Sequence, residues 1–154
     1  MNDAQPTPLY FDDFTPGRRF VSGTYEMTLE EIRDFASKYD PQPFHLDEEA
    51  ARKSVFKGLV ASGWHTMGVT MRLLVMGGVP VAGGLVGLGA ELAWPRPTYP
   101  GDILEVHTEI LEATPSKSKP ERGGTVTMRS ETRNQRGEVV LDFKGRVVVP
   151  RRTS

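Results

Sequence analysis

"SGWHTMGVTMRLLVMGG", residues 62–78, decides the architecture. Ser62 is a good N-cap and Gly77-Gly78 a good stop, so the stretch reads as one helix. Apolar residues stand nearly all round it: Trp64, Met67, Val69, Met71, Leu73, Leu74, Val75 and Met76. A helix apolar on every side is expected to be buried on every side. Something else in the chain must cover it.

The cover follows directly. After Gly83 the apolar pattern has period two. Val86, Leu88, Ala90, Leu92 and Trp94 share one face, then Leu104, Val106, Thr108 and Ile110, then Val126, Met128, Ser130 and Thr132. Val139, Leu141, Phe143, Gly145, Val147 and Val149 close the series. These are strands with one apolar face each. "TYPGD" (98–102) has the chemistry of a type II turn, "NQRG" (134–137) that of a hairpin, and "ATPSKSKPERGG" (113–124) reads as a basic loop. The expectation is a four-strand antiparallel meander wrapped around the central helix, an α+β fold.

Upstream, "RRFVSGTYEM" (18–27) reads as a first strand. Thr28 with Glu31 forms a capping-box signature, and Leu29, Ile32, Phe35 and Tyr39 then share a helical face until Pro41 ends the helix. Asp47 is placed to cap a short helix, "EEAARKSVF", closed by Gly58. Residues 1–9 are expected to be a flexible tail, and 1–154 a single domain.

Composition narrows the function classes. Of 154 residues, 38% are hydrophobic and 25% charged, with a formal net charge of −1, which lacks the basic excess of a nucleic-acid binder. No run of about 18 unbroken apolar residues exists, so no membrane partner is expected. The start, "MNDAQPTPLYFDDF", is acidic and proline-containing, unlike a signal or transit peptide, and cytoplasmic residence is the expectation. Cysteine is absent, which removes disulfides, thiolate nucleophiles and cysteine metal sites. His45, His65 and His107 show no metal-ligand spacing, and no metal is expected. His65, in the first turn of the central helix, is read as structural, and His107 as a surface residue. No serine sits in a G-x-S-x-G elbow, and the glycine-rich "GLVGLG" lacks the setting of a nucleotide loop.

Two places carry chemistry. In "YDPQPFHLD" (39–47) an acid, Asp40, and an imidazole, His45, flank two prolines. In a straight strand these side chains would lie about 16 Å apart. Pro41 and Pro43 fix two φ angles and restrict Asp40 and Gln42, so a stiff bend can aim both groups at one point. Such a pair can hold one water and move protons both ways, as addition of water to a double bond requires. The plain alternative is a helix stop with a capped turn. In "GLVASGWHT" (58–66), an N-cap at Ser62 leaves the amides of Gly63, Trp64 and His65 as orphan donors at the positive end of the helix. Such donors stabilise a thioester oxygen that gains charge as an enolate forms, and bare Gly63 lets a ligand come close.

"DPQPFHLD", "GLVASGWHT" and the downstream "PRPTYPGDIL" together resemble the MaoC-like dehydratases, or (R)-specific enoyl-CoA hydratases, of the hotdog fold. The resemblance runs from about residue 10 to the C-terminus. It implies Asp40 and His45 as a catalytic dyad and the Gly63 amide as donor to the thioester oxygen. Gln42, Ser62, Trp64 and Met67 are then the expected substrate-binding residues. The implied activity is syn hydration of a trans-2-enoyl-CoA, or the reverse dehydration of an (R)-3-hydroxyacyl-CoA. Coenzyme A enters only as part of the substrate, so no cofactor is implied. The implied assembly is a homodimer or higher homo-oligomer. Two positions depart from the family: Gln42 stands where Asn is usual, and Ser62 where His is usual. Alternatives on the same scaffold are a thioesterase, with Asp40 or Glu31 directing water at the carbonyl, and a non-catalytic acyl-CoA-binding protein.

Overall fold

The computed structural model describes residues 6–153. Five strands, β1 (Arg19–Glu26), β2 (Val86–Ala93), β3 (Ile103–Pro115), β4 (Gly123–Arg133) and β5 (Val139–Pro150), form one antiparallel sheet in the order β1-β3-β4-β5-β2. Helices α1 (Leu29–Tyr39), α2 (Pro43–Leu46), α3 (Glu48–Arg52) and α4 (Gly63–Leu73) lie between β1 and β2. α4 is the central helix, and the concave face of the sheet supplies its cover. Leu104, Val106, Ile110, Val126, Met128, Leu141 and Val149 point at it and are fully buried with Leu74 and Ile32. Each such side chain contributes about 1.5–3 kcal/mol by leaving water.

The period-two faces of β3, β4 and β5 are buried as expected. Thr108, Ser130 and Thr132 belong to them, and their hydroxyls pair rather than stay orphaned: Thr108 with Ser130 at 2.8 Å, and Thr132 with Thr70 of α4 at 2.6 Å. At Ser22 the register of β1 against β3 slips, and the hydroxyl accepts the Val106 N–H at 2.8 Å in place of a ladder carbonyl. Gly101, at φ +88°, makes the 99–102 turn, with Asp102 N–H donating to Tyr99 O at 3.1 Å.

Several expectations are corrected. β2 does not continue into a meander. It crosses to the far edge and pairs with β5, so Val86 and Leu88 are over half exposed instead of facing the core. α4 is not buried all round: Trp64 is exposed, with Gly68 and Arg72 on the same stripe, and so are Val75 and Met76 in the π-helical segment Leu74–Gly78 that follows. α3 stops at Arg52, and 53–58 is a series of turns with Lys57 at φ +61°. The basic loop is shorter than read, because β3 and β4 pair as far as Pro115 and Gly124. Thr28 does accept the Glu31 N–H, but the Glu31 carboxylate takes the Tyr25 hydroxyl at 2.7 Å instead of closing the capping box. Of the expected tail, residues 1–5 lie outside the described residues. Leu9 is held: its N–H donates to Pro80 O and its carbonyl accepts from Ala82, both at 2.8 Å. No helix among the described residues is long and apolar enough to cross a membrane.

Candidate active site

The bend at 40–45 is a helix end followed at once by a one-turn helix. Asp40 caps α1 with φ −154°, ψ 67°, its N–H still donating to Ala36 O at 2.9 Å. Gln42 N–H donates to Asp40 O at 2.8 Å and Gln42 is the N-cap of α2, whose first residue is Pro43. Proline suits that position, because its φ is helical and it has no N–H to leave unpaired. One turn of helix brings His45 back over Asp40, and Nε2 lies 3.2 Å from Oδ2.

The pair is firmly oriented. His45 is buried, and its Nδ1 lies 2.7 Å from Val60 O. A carbonyl only accepts, so Nδ1 carries a proton and Nε2 is the nitrogen left to exchange one with Asp40 or a bound water. Gln42 Nε2 donates to Asp40 Oδ1 at 2.6 Å, fixing the far side of the carboxylate. Burial works to raise the Asp40 pKa, but donation from Gln42 and the Ser62 hydroxyl, with the charge and hydrogen bond of His45, outweighs it and holds the carboxyl below its ordinary value. Asp40 is thus a carboxylate at neutral pH.

Asp40 and His45 open into a cavity of about 460 Å³ whose lining also includes Gln42, Gly63 and Trp64. Ser62, fully buried, caps α4 by accepting the Trp64 N–H at 3.3 Å. The carbonyl of Ser62 accepts from His65 and Thr66, and the N–H of Gly63 has no acceptor among the described residues. A lone amide at the start of a helix, lining a cavity beside a carboxylate–imidazole pair, is suited to receive an oxygen that becomes negative.

Two expected substrate-binding residues, Ser62 and Met67, are not among the lining residues, Ser62 being fully buried, while His65 is structural as read. Met67 is half-buried against the hydrophobic core. His65 is buried face to face with Phe35, ring centroids 4.8 Å apart, away from the cavity. Desolvation lowers the His65 pKa, partly opposed by Glu31, and its Nδ1 has no partner. Sequence reading missed the opposite wall: Phe44, Phe56, Thr66 and the segment Trp94–Thr98. The proline spacing in "WPRPT" is the signal that marked a stiff segment there.

A five-stranded sheet around one helix, with an acid–imidazole pair facing the N-terminus of that helix, defines a hotdog-fold dehydratase or hydratase, and comparison agrees. The family model described as "FAS1-like, dehydratase domain region" matches residues 15–143, and the chain belongs to that family. It is 55% identical to a solved MaoC-like dehydratase from Rhodospirillum rubrum, with a TM-score of 0.92 over 95% of this chain and 99% of that one. The R-hydratase PhaJ1 from Pseudomonas aeruginosa superposes with a TM-score of 0.76 at 26% identity, covering 94% of this chain and 88% of the other. Among curated relatives, 3-hydroxybutyryl-CoA dehydratase of Methylorubrum extorquens is 30% identical over 146 residues, 94% of this chain and 86% of that protein. The uncharacterized protein YdeM of Bacillus subtilis is 31% identical over 146 residues, 93% of this chain and all of YdeM.

Proposed function

We propose that the protein adds water to trans-2-enoyl-CoA thioesters to give (R)-3-hydroxyacyl-CoA, and catalyses the reverse dehydration. The observation that carries this reading is the Asp40–His45 contact at 3.2 Å opening into the same cavity as the unpartnered Gly63 N–H. Asp40 and His45 hold one water against C3. Asp40 takes a proton from that water, its oxygen bonds to C3, and His45 delivers a proton to C2 from the same side. The Gly63 amide receives the enolate-like oxygen meanwhile. Net transfer of one proton from His45 to Asp40 is then reversed across their direct contact. Coenzyme A is part of the substrate.

A homodimer is part of the proposal. The exposed apolar residues Val86 and Leu88 lie on an edge strand, Trp64 on the open stripe of α4, and Val75 and Met76 in the segment that follows α4. An open apolar edge favours pairing with a second copy. Hydrolysis through Glu31 finds less support, since that carboxylate binds Tyr25 and does not line the cavity.

The test is incubation of the purified protein with trans-2-enoyl-CoA of several chain lengths, starting from the four-carbon crotonyl-CoA suggested by the Methylorubrum relative's name. The expected result is loss of the enoyl-thioester absorbance, formation of the (R)-3-hydroxy product and no release of free thiol. Thiol release with no hydration would reassign the site to a thioesterase. Tight binding of every thioester without turnover would make it a binding protein.

A further inference from the structure

We infer that Trp94 is a positioning residue for the Gly63 amide; the inference rests on the hydratase reading above. Trp94 is the first residue beyond edge strand β2, and Pro95 and Pro97 restrict the backbone around it. Its indole N–H crosses from the sheet edge to the start of α4 and donates to Gly63 O at 2.9 Å. The carbonyl oxygen has a second lone pair, so this bond need not cost the helix its own. The ring also occupies the space beside Gly63: a Cβ there would sit 2.7 Å from Nε1 and Cε2 of the indole. Gly63 is therefore required by Trp94.

The pairing has a physical purpose. Glycine is the loosest residue in the chain, and the donor that must face a developing charge sits on one. The indole holds that glycine by a hydrogen bond on one side and by contact on another, while Trp64 braces it edge-on, centroids 5.3 Å apart. Trp94 lines the same cavity as Asp40 and His45 but neither donates to nor accepts from them. Its effect is on the orientation of the amide, not on proton transfer.

Two variants test this in the full-length protein. Trp94→Phe removes the N–H and part of the ring, while β-(3-benzothienyl)alanine at position 94 keeps the bicyclic shape and removes only the N–H. Loss of a whole oxyanion donor lowers kcat about 10²–10³-fold, so misaiming one is expected to lower it by about tenfold or more. KM should change by less than about threefold, and the pH–rate profile should not shift, because the dyad is untouched. The Gly63 amide resonance should broaden or move in both variants. If Trp94→Phe fails to fold, the benzothienyl protein decides. Wild-type kcat in that protein would overturn the positioning role while leaving the hydratase reading intact. A wild-type protein that hydrates no enoyl thioester would overturn both.

Discussion

Asp40 keeps its charge because three groups, Gln42, Ser62 and His45, outweigh one desolvation penalty in favour of the carboxylate. The sign of its linkage follows. A carboxyl whose folded pKa is depressed adds stability above its unfolded value, about 3.9, and that stability is lost as pH falls through the folded value. Asp40→Asn should therefore show a smaller loss of melting temperature than the parent between about pH 5 and pH 2. Parallel acid melts for the two proteins would deny Asp40 its depressed pKa. Gly63→Ala, which drives a methyl into the indole, should quench or shift Trp94 emission and lower turnover together. Asp40 and His45 were legible because prolines and a spacing of five positions are local features. Trp94 was not, since its partner is 31 positions away, across a sheet edge whose location no periodicity reveals.

At the scale of the element, α4 carries the site and its start is the sensitive part. The Ser62 side-chain oxygen caps the helix, and its hydroxyl faces Asp40. Ser62→Ala should cost about 1 kcal/mol, within the usual range for a lost cap, read as a shift in the denaturant midpoint. His65, one turn in, is buried with an orphan Nδ1 and a lowered pKa. A base that stays neutral when folded lets only the unfolded chain take up a proton below its ordinary value of 6.5. Stability is thus complete above that pH and declines as pH falls toward the folded value. His65→Leu should flatten the dependence of melting temperature on pH between about 7 and 5, and an unchanged slope would contradict it. The apolar pattern identified this helix but overstated its burial, because exposed apolar residues look the same in sequence as core residues.

For the whole molecule, the unpaired edge decides what the sequence reading got wrong. β3, β4 and β5 follow one another in chain and in space, so alternation alone placed them. β2 has the same alternation, yet its partner is the last strand, and Val86 and Leu88 are exposed while only Leu92 packs against the core. Light scattering should give twice the chain mass of 17.1 kDa. Leu88→Arg, placing a charge on the open edge, should halve the mass and reduce turnover if assembly completes the substrate groove. A parent protein of single-chain mass would remove the dimer from the proposal.

The most direct measurement is the initial rate of crotonyl-CoA hydration for the parent, Asp40→Asn and His45→Gln, followed at the enoyl-thioester band. Each substitution should lower kcat/KM by about 10²- to 10⁴-fold, with melting curves that still show a folded protein. Near-parental rates in either variant would contradict the assignment of water addition to this acid and this imidazole.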